Sequence, residues 1–128
     1  MRLFILILFL VSNYSFAQVK YGERITSKFF EKKVWNSFEE TYEFETNGWY
    51  TMSILPQEDY YMVSFNGEES SKVWWEYSKQ NEYGNDVYFI ENGNKIIFDY
   101  DDQEIILYSD SDGSRYKTLV VFSKLEVD

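Results

Sequence analysis

Carboxylates are the reactive side chains that this sequence offers in quantity. It holds 22 Asp and Glu against 12 Lys and Arg, and neither Cys nor His. A Cys nucleophile, a Ser-His-Asp triad and an ordinary zinc site are therefore closed to it. Two carboxylates roughly 5–10 Å apart can hydrolyse a glycoside. Here the acids are spread along alternating polar positions, and no pair stands out as catalytic. One acidic run, Asp110-Ser111-Asp112-Gly113, matches part of a D-x-D-x-D-G calcium loop. Its first position falls on Tyr108 and its twelfth on Leu119, where an EF-hand needs carboxylates. A looser site would combine Asp110 and Asp112 with Asp99, Asp101 and Asp102. Tight turns use the same residue types, which is the stronger reading. The expectation is no catalytic residue, no metal and no cofactor.

The aromatic doublets carry more information. Phe29-Phe30, Trp49-Tyr50, Tyr60-Tyr61 and Trp74-Trp75 each set two large rings side by side. Neighbouring residues of a strand face opposite sides of a sheet. Alternation puts Tyr50, Tyr61 and Trp75 with an apolar set of Met52, Ile54, Val63, Phe65, Val73 and Tyr77. Trp49, Tyr60 and Trp74 then fall on the other face, joined by Met62. If their strands pair in order, the three rings form one patch outside the core. Structural alternatives are an N-terminal segment covering the patch, a second sheet layer, or rings exposed singly. A contiguous exposed aromatic patch marks a binding surface for a protein or a glycan. Trp49, Tyr60 and Trp74 are therefore the candidate binding residues.

These residues need strands to position them. Tyr42 and Phe44 alternate with Glu43 and Glu45; Ile96, Phe98 and Tyr100 alternate with Lys95, Asp99 and Asp101. Period two with one polar face reads as half-buried antiparallel strand. Strands are expected near 24–31, 38–46, 49–55, 59–66, 71–78, 86–91, 95–100, 104–109 and 116–125. Turn signals separate them, among them Asn47-Gly48, Asn66-Gly67 and Asn92-Gly93-Asn94. Residues 28–40 and 70–83 also admit helical readings, but their β-branched and aromatic content favours strand. The fold class expected is all-β. An antiparallel meander of about 8–9 strands closes or curls into a small barrel, with a two-layer sandwich as the alternative. An outer-membrane barrel is disfavoured, because the outward faces carry Glu39, Glu43, Glu45, Asp99 and Asp101 and the strands look short.

Arg2 precedes nine apolar residues, Leu3 to Val11, and Ser15-Phe16-Ala17 follows as a small-x-small site. This is the anatomy of a cleavable signal over 1–17, leaving a single all-β domain over 18–128 and no membrane span after cleavage. The export expected is to the periplasm or the exterior. Losing Arg2 leaves 11 bases against 22 acids, a mature charge of −11. Such a surface repels phosphates, so nucleic acid is not an expected partner. Without disulfides, the aromatic core must supply the stability.

A leader, an early Trp35 and the run Tyr42-Glu43-Phe44-Glu45-Thr46-Asn47-Gly48-Trp49-Tyr50 followed by successive hairpins resemble the small secreted lipocalin-like proteins of bacteria. The family's Gly-x-Trp signature is absent: Lys33 stands two places before Trp35, and Asn47 before Trp49. The resemblance implies a barrel and carries over no functional residue. Together these features point to a secreted non-enzymatic binding domain. Its partner would be a protein, a glycan or an apolar small molecule. A small carboxylate-dependent hydrolase and a structural envelope component are the alternatives.

Overall fold

The computed structural model describes residues 18–127, so the expected signal over 1–17 lies outside the described residues. Eight strands run in chain order: β1 (Ile25–Asn36), β2 (Thr41–Pro56), β3 (Tyr60–Phe65), β4 (Ser71–Gln80), β5 (Asp86–Ile90), β6 (Lys95–Asp99), β7 (Glu104–Ser111) and β8 (Tyr116–Val127). Each pairs antiparallel with its sequence neighbour, and β1 pairs with β8 to close the barrel. Closure leaves no free edge, which disposes of the sandwich alternative. Residues 28–36 and 71–80 are strand, as their β-branched and aromatic content requires. No helix among the described residues is long and apolar enough to cross a membrane.

The ninth expected strand does not exist. The runs 38–46 and 49–55 are one strand, and Asn47-Gly48 is not a turn: Asn47 pairs with Glu31 and Gly48 with Phe30. Glycine here serves close approach instead. A Cβ on Gly48 would stand 3.5 Å from the Phe30 ring, so the bare backbone leaves the ring room to lie over it. Five strands also run longer than expected, with β1 and β8 at 12 residues, β2 at 16, β4 at 10 and β7 at 8.

The interior is filled. Phe98, Ile25, Ile54 and Ile105 are fully buried. Trp75 stacks on Tyr88 with centroids 4.0 Å apart, and Tyr61 and Phe98 close on it at 4.8 and 5.9 Å. The Trp75 indole N–H donates to the carbonyl of Gln57 at 2.9 Å, so its polar edge is satisfied. Burial pushes the Tyr61 phenol up to about 12, with Glu91 adding to the shift.

Strict alternation fails where strands bulge. Ile25 and Ser27 point inward, but the next core residue of β1 is Phe30, because a register shift falls between Ser27 and Phe29. The buried Ser27 hydroxyl meets the carbonyls of Ser123 (2.7 Å) and Phe29 (3.1 Å) at this irregularity. On β8 opposite, Lys124 adopts a φ of 56°, so Val120, Phe122, Leu125 and Val127 all reach the core. Such shifts also move rings expected inside. Phe44, Tyr50, Phe65 and Tyr77 are exposed. Phe44 adjoins one register shift on β2 and Tyr50 falls within another, while Tyr77 adjoins one on β4 and Phe65 ends β3.

The segment before β1 lies across one end of the barrel. Val19 packs on the core and its N–H meets the Tyr100 hydroxyl at 3.0 Å. The Tyr21 and Tyr88 hydroxyls are 3.0 Å apart, and the Gly22 N–H donates to the Pro56 carbonyl at 2.8 Å. Asp86 accepts from the hydroxyls of Tyr77 and Tyr100 beside this closure. Burial, with the bond to Asp86 second, raises the Tyr100 phenol above its ordinary value.

Candidate functional site

The barrel brings two of the three candidate rings together. Tyr60 on β3 and Trp74 on β4 are register partners, and their rings meet edge to face at 5.6 Å. Trp74 is 51% exposed, while its chain neighbour Trp75 is 5% exposed. The Lys72 ammonium sits 4.4 Å from the Tyr60 ring centroid and 5.2 Å from that of Trp74. Met62, also expected on this face, pairs with Lys72 across the same two strands.

Trp49 stands apart. The β2–β3 ladder runs from Met52↔Phe65 to Pro56↔Tyr61, so Trp49 lies before its beginning and Tyr60 beyond its end. At about 3.3 Å per residue, Trp49 is on the order of 25 Å along the strand from the position facing Tyr60. It packs instead on Phe29 of β1 at 5.1 Å, with Lys124 at 6.0 Å. The single three-ring patch therefore resolves into two sites. The cause is the antiparallel β2–β3 register, which sets Trp49 and Tyr60 at opposite ends of that ladder.

Among the described residues, the segment before β1 makes its hydrogen bonds to Tyr88, Tyr100 and Pro56 and none to Tyr60 or Trp74. What adjoins Trp74 is a groove of about 270 Å³ between β4 and β5, lined by Trp74, Trp75, Glu76, Phe89, Ile90 and Glu91. Phe89 is 47% exposed, and alternation along β5 puts it on the outer face while Tyr88 and Ile90 point in.

A second ring cluster, which strand alternation alone did not reveal, joins the far ends of β1–β2 and β7–β8. Trp35 meets Tyr42 at 5.1 Å, Tyr42 meets Tyr108 at 6.4 Å, and Tyr108 meets Tyr116 at 5.8 Å. The Arg115 guanidinium lies 3.7 Å from the Trp35 centroid, and the Lys95 ammonium 4.7 Å from that of Tyr108. The hydroxyl of Tyr42 donates to the Tyr116 carbonyl and that of Tyr116 to the Gly93 carbonyl. Burial raises the phenols of Tyr42 and Tyr108 and lowers the Lys95 ammonium. The ring contacts and the Tyr42 bond tie the β1–β2 and β7–β8 hairpins together. An open groove of about 440 Å³ beside it is lined by Trp35, Phe44 and the β1–β2 turn.

The acidic residues fall into two separate turns at opposite ends of β7, so Asp110 and Asp112 do not combine with Asp99, Asp101 and Asp102. Asp112 caps its own turn, accepting from the Ser114 and Arg115 N–H groups and the Ser114 hydroxyl. These bonds hold its carboxyl down at about 2. In the other turn, oxygens of Asp99, Asp102 and Glu104 lie within 4.8 Å of one another. Asp99 caps that turn through the Asp102 N–H. Burial, then repulsion from Asp102 and Asp99, raises the Glu104 carboxyl.

No family model, curated protein or solved structure matches this chain.

Proposed function

We propose that this chain is a secreted, non-enzymatic binding domain of lipocalin-like architecture that engages its partner through the outer Tyr60–Trp74 face. The observation that carries the reading is the contrast between a filled interior and an outer ring pair, half-buried Tyr60 and exposed Trp74. Phe98, Ile25, Ile54 and Ile105 occupy the volume in which a ligand-carrying barrel would hold an apolar molecule. Trp74 meanwhile offers a large rigid ring to solvent, the kind of residue on which binding energy concentrates. Trp49, beside Phe29, is an accessory contact outside this face.

The test immobilises residues 18–128 and a Tyr60→Ala/Trp74→Ala variant and passes envelope extract and a glycan panel over both. A component held by the first and released by the second supports the reading. Saturable uptake of an apolar dye, unchanged in the variant, would return the ligand to the interior and refute it. The export part of the proposal rests on the Leu3–Val11 run and the Ala17 site. An intact mass matching residues 18–128, with Gln18 free or cyclised, supports it; retention of Met1 in the envelope-located protein refutes it.

A second reading, a small carboxylate-dependent hydrolase, draws on one observation. Glu104 combines a raised carboxyl with two neighbouring carboxylates, beside a surface groove of about 290 Å³. Glycosidase activity abolished by Glu104→Gln would establish it.

A further inference from the structure

Six rings of this barrel carry a cation from the chain itself: Lys72 on Tyr60 and Trp74, Lys124 on Trp49, Arg115 on Trp35, Lys95 on Tyr108 and Tyr116. On the β4–β5 surface Trp74 carries only the Lys72 that it shares with Tyr60, and Phe89, though exposed, carries no cation among the described residues. There Trp75 pairs with Ile90 on the inside, and the outer positions flanking that pair are Trp74 facing Glu91 and Glu76 facing Phe89. The Glu91 N–H donates to the Trp74 carbonyl at 3.0 Å, which fixes the first of these rows. Two rings and two carboxylates thus alternate as a checkerboard, with directly opposed Cβ atoms about 5 Å apart. All four residues are exposed. The same four, over the floor of Trp75 and Ile90, line the groove beside Trp74, and neither Lys nor Arg contributes to it. Among the described residues, neither Glu76 nor Glu91 is held in an ion pair, and no Lys or Arg is stacked on Phe89.

Resting on the reading of the Trp74 face as a binding surface, we infer that this groove receives an arginine or lysine side chain from a basic segment of a partner protein. The cation meets ring faces that attract it through their quadrupoles and two carboxylates that neutralise it. A planar guanidinium fits best, because it stacks on a ring and forks toward a carboxylate at once. The chain's own Arg115, stacked 3.7 Å from the Trp35 centroid, uses the same aromatic half of this chemistry. The excess of 22 acids over 12 bases draws a basic partner in from a distance, while the checkerboard supplies the local discrimination.

The probe is a six-residue peptide alternating Gly and Arg, with a second peptide carrying citrulline, the uncharged isostere, in place of Arg. Both are titrated into residues 18–128, followed by the Trp74 indole N–H resonance. The Arg peptide should bind at least tenfold more tightly than the citrulline peptide. Glu76→Gln with Glu91→Gln should weaken it at least tenfold, and Glu39→Gln with Glu43→Gln, which remove equal charge on the β1–β2 hairpin, whose strands pair with neither β4 nor β5, less than twofold. Equal losses in the two double variants would mean diffuse charge attraction and overturn the inference. Absence of Arg-peptide binding overturns it as well. If both peptides bind equally and Trp74→Ala abolishes both, the cation inference fails while the Tyr60–Trp74 face stands. Loss of envelope retention in the Tyr60→Ala/Trp74→Ala variant tests that face independently of any peptide. The substituted positions are exposed except half-buried Tyr60, and a cooperative thermal transition verifies that each variant folds.

Discussion

Trp74 and Trp75 are consecutive in the chain and inhabit different solvents. Trp75 lies between Tyr61, Tyr88 and Phe98, with its N–H bonded to Gln57. Trp74 meets Tyr60 and Lys72 on an open face and borders a groove. One ring is held by packing on every side; the other retains surface for something else. The same residue type therefore serves stability in one place and contact in the other, and the strand pleat alone separates the two roles.

The strongest way to break this contrast is to remove the inner ring. Trp75→Ala deletes the centre of the stacked cluster and leaves a cavity that the surrounding rings can only partly fill. A loss of about 3–5 kcal/mol is expected from urea denaturation. A loss below about 1 kcal/mol would mean that the interior is not organised around this ring.

A smaller effect is expected at Ser27, which supports the same interior from the opposite wall. Its hydroxyl is fully buried and faces two carbonyls at the β1 irregularity. Ser27→Ala leaves those acceptors without it, at a cost of about 1–3 kcal/mol. The result that removes this role is Ala tolerated at no measurable cost.

The legible and illegible parts of the fold divide along the same line. Alternation separated Trp74 from Trp75 and grouped Met52, Ile54, Tyr61 and Ile96 correctly, because it is a local property of a pleated chain. It misassigned Phe44, Tyr50, Phe65 and Tyr77, which lie exposed beside register shifts or at strand ends. Bulges arise from the partner strand and leave no strong mark in the strand itself. Asn47-Gly48 read as a hairpin turn because that dipeptide permits one, yet pairing with Glu31 and Phe30 overrode the preference. The Trp35–Tyr42–Tyr108–Tyr116 cluster depends on closure between β1 and β8, a contact between residues nearly a chain length apart. The pairing of Trp74 with Glu91 needed the β4–β5 register in the same way.

The acidic turns at the two ends of β7 should respond to pH in opposite directions. Asp112 is held at about 2 by hydrogen bonds, against an ordinary value of 3.8. Its contribution to stability is present above its unfolded value and is lost as pH falls from about 4 through about 2. Glu104 is raised, chiefly by burial. The folded state holds that proton more tightly than the unfolded one, so its ionisation is a cost at neutral pH that fades on acidification. Glu104→Gln should therefore stabilise the barrel at pH 7 and lose the advantage as pH enters the carboxylate range. Asp112→Asn should flatten the acid limb of the stability curve. Thermal melts across pH 2–7 check both signs, and a stabilising Asp112→Asn at pH 7 would contradict the capping role. Calcium should leave the melting temperature nearly unchanged, because Asp112 is already occupied by its own turn.

The smallest stability effect, and the sharpest test of the contrast, is expected at Trp74. Its ring is 51% exposed, so truncation opens no closed cavity and removes one edge contact with Tyr60 and the Lys72 stack. Exposed aromatic pairs of this kind contribute about 0.5–1.5 kcal/mol, and exposed cation–π contacts about 0.5–1. Part of that is regained when Lys72 returns to water, so Trp74→Ala should cost within about 1 kcal/mol. Binding should behave in reverse. Removing the outer ring deletes the anchor of the proposed face, and truncation of such an anchor typically costs 2 kcal/mol or more, about thirtyfold in affinity. A Trp75→Ala protein that still folds at low temperature should keep Trp74, Glu76 and Phe89 on the surface and bind more nearly as the parent does. Measuring both quantities for both variants separates stability from contact in a two-by-two comparison. Equal unfolding costs would mean that β4 does not divide its rings between two solvents. A Trp74→Ala variant as stable as expected but with undiminished retention of partner would leave the barrel intact and remove the function assigned to its outer face.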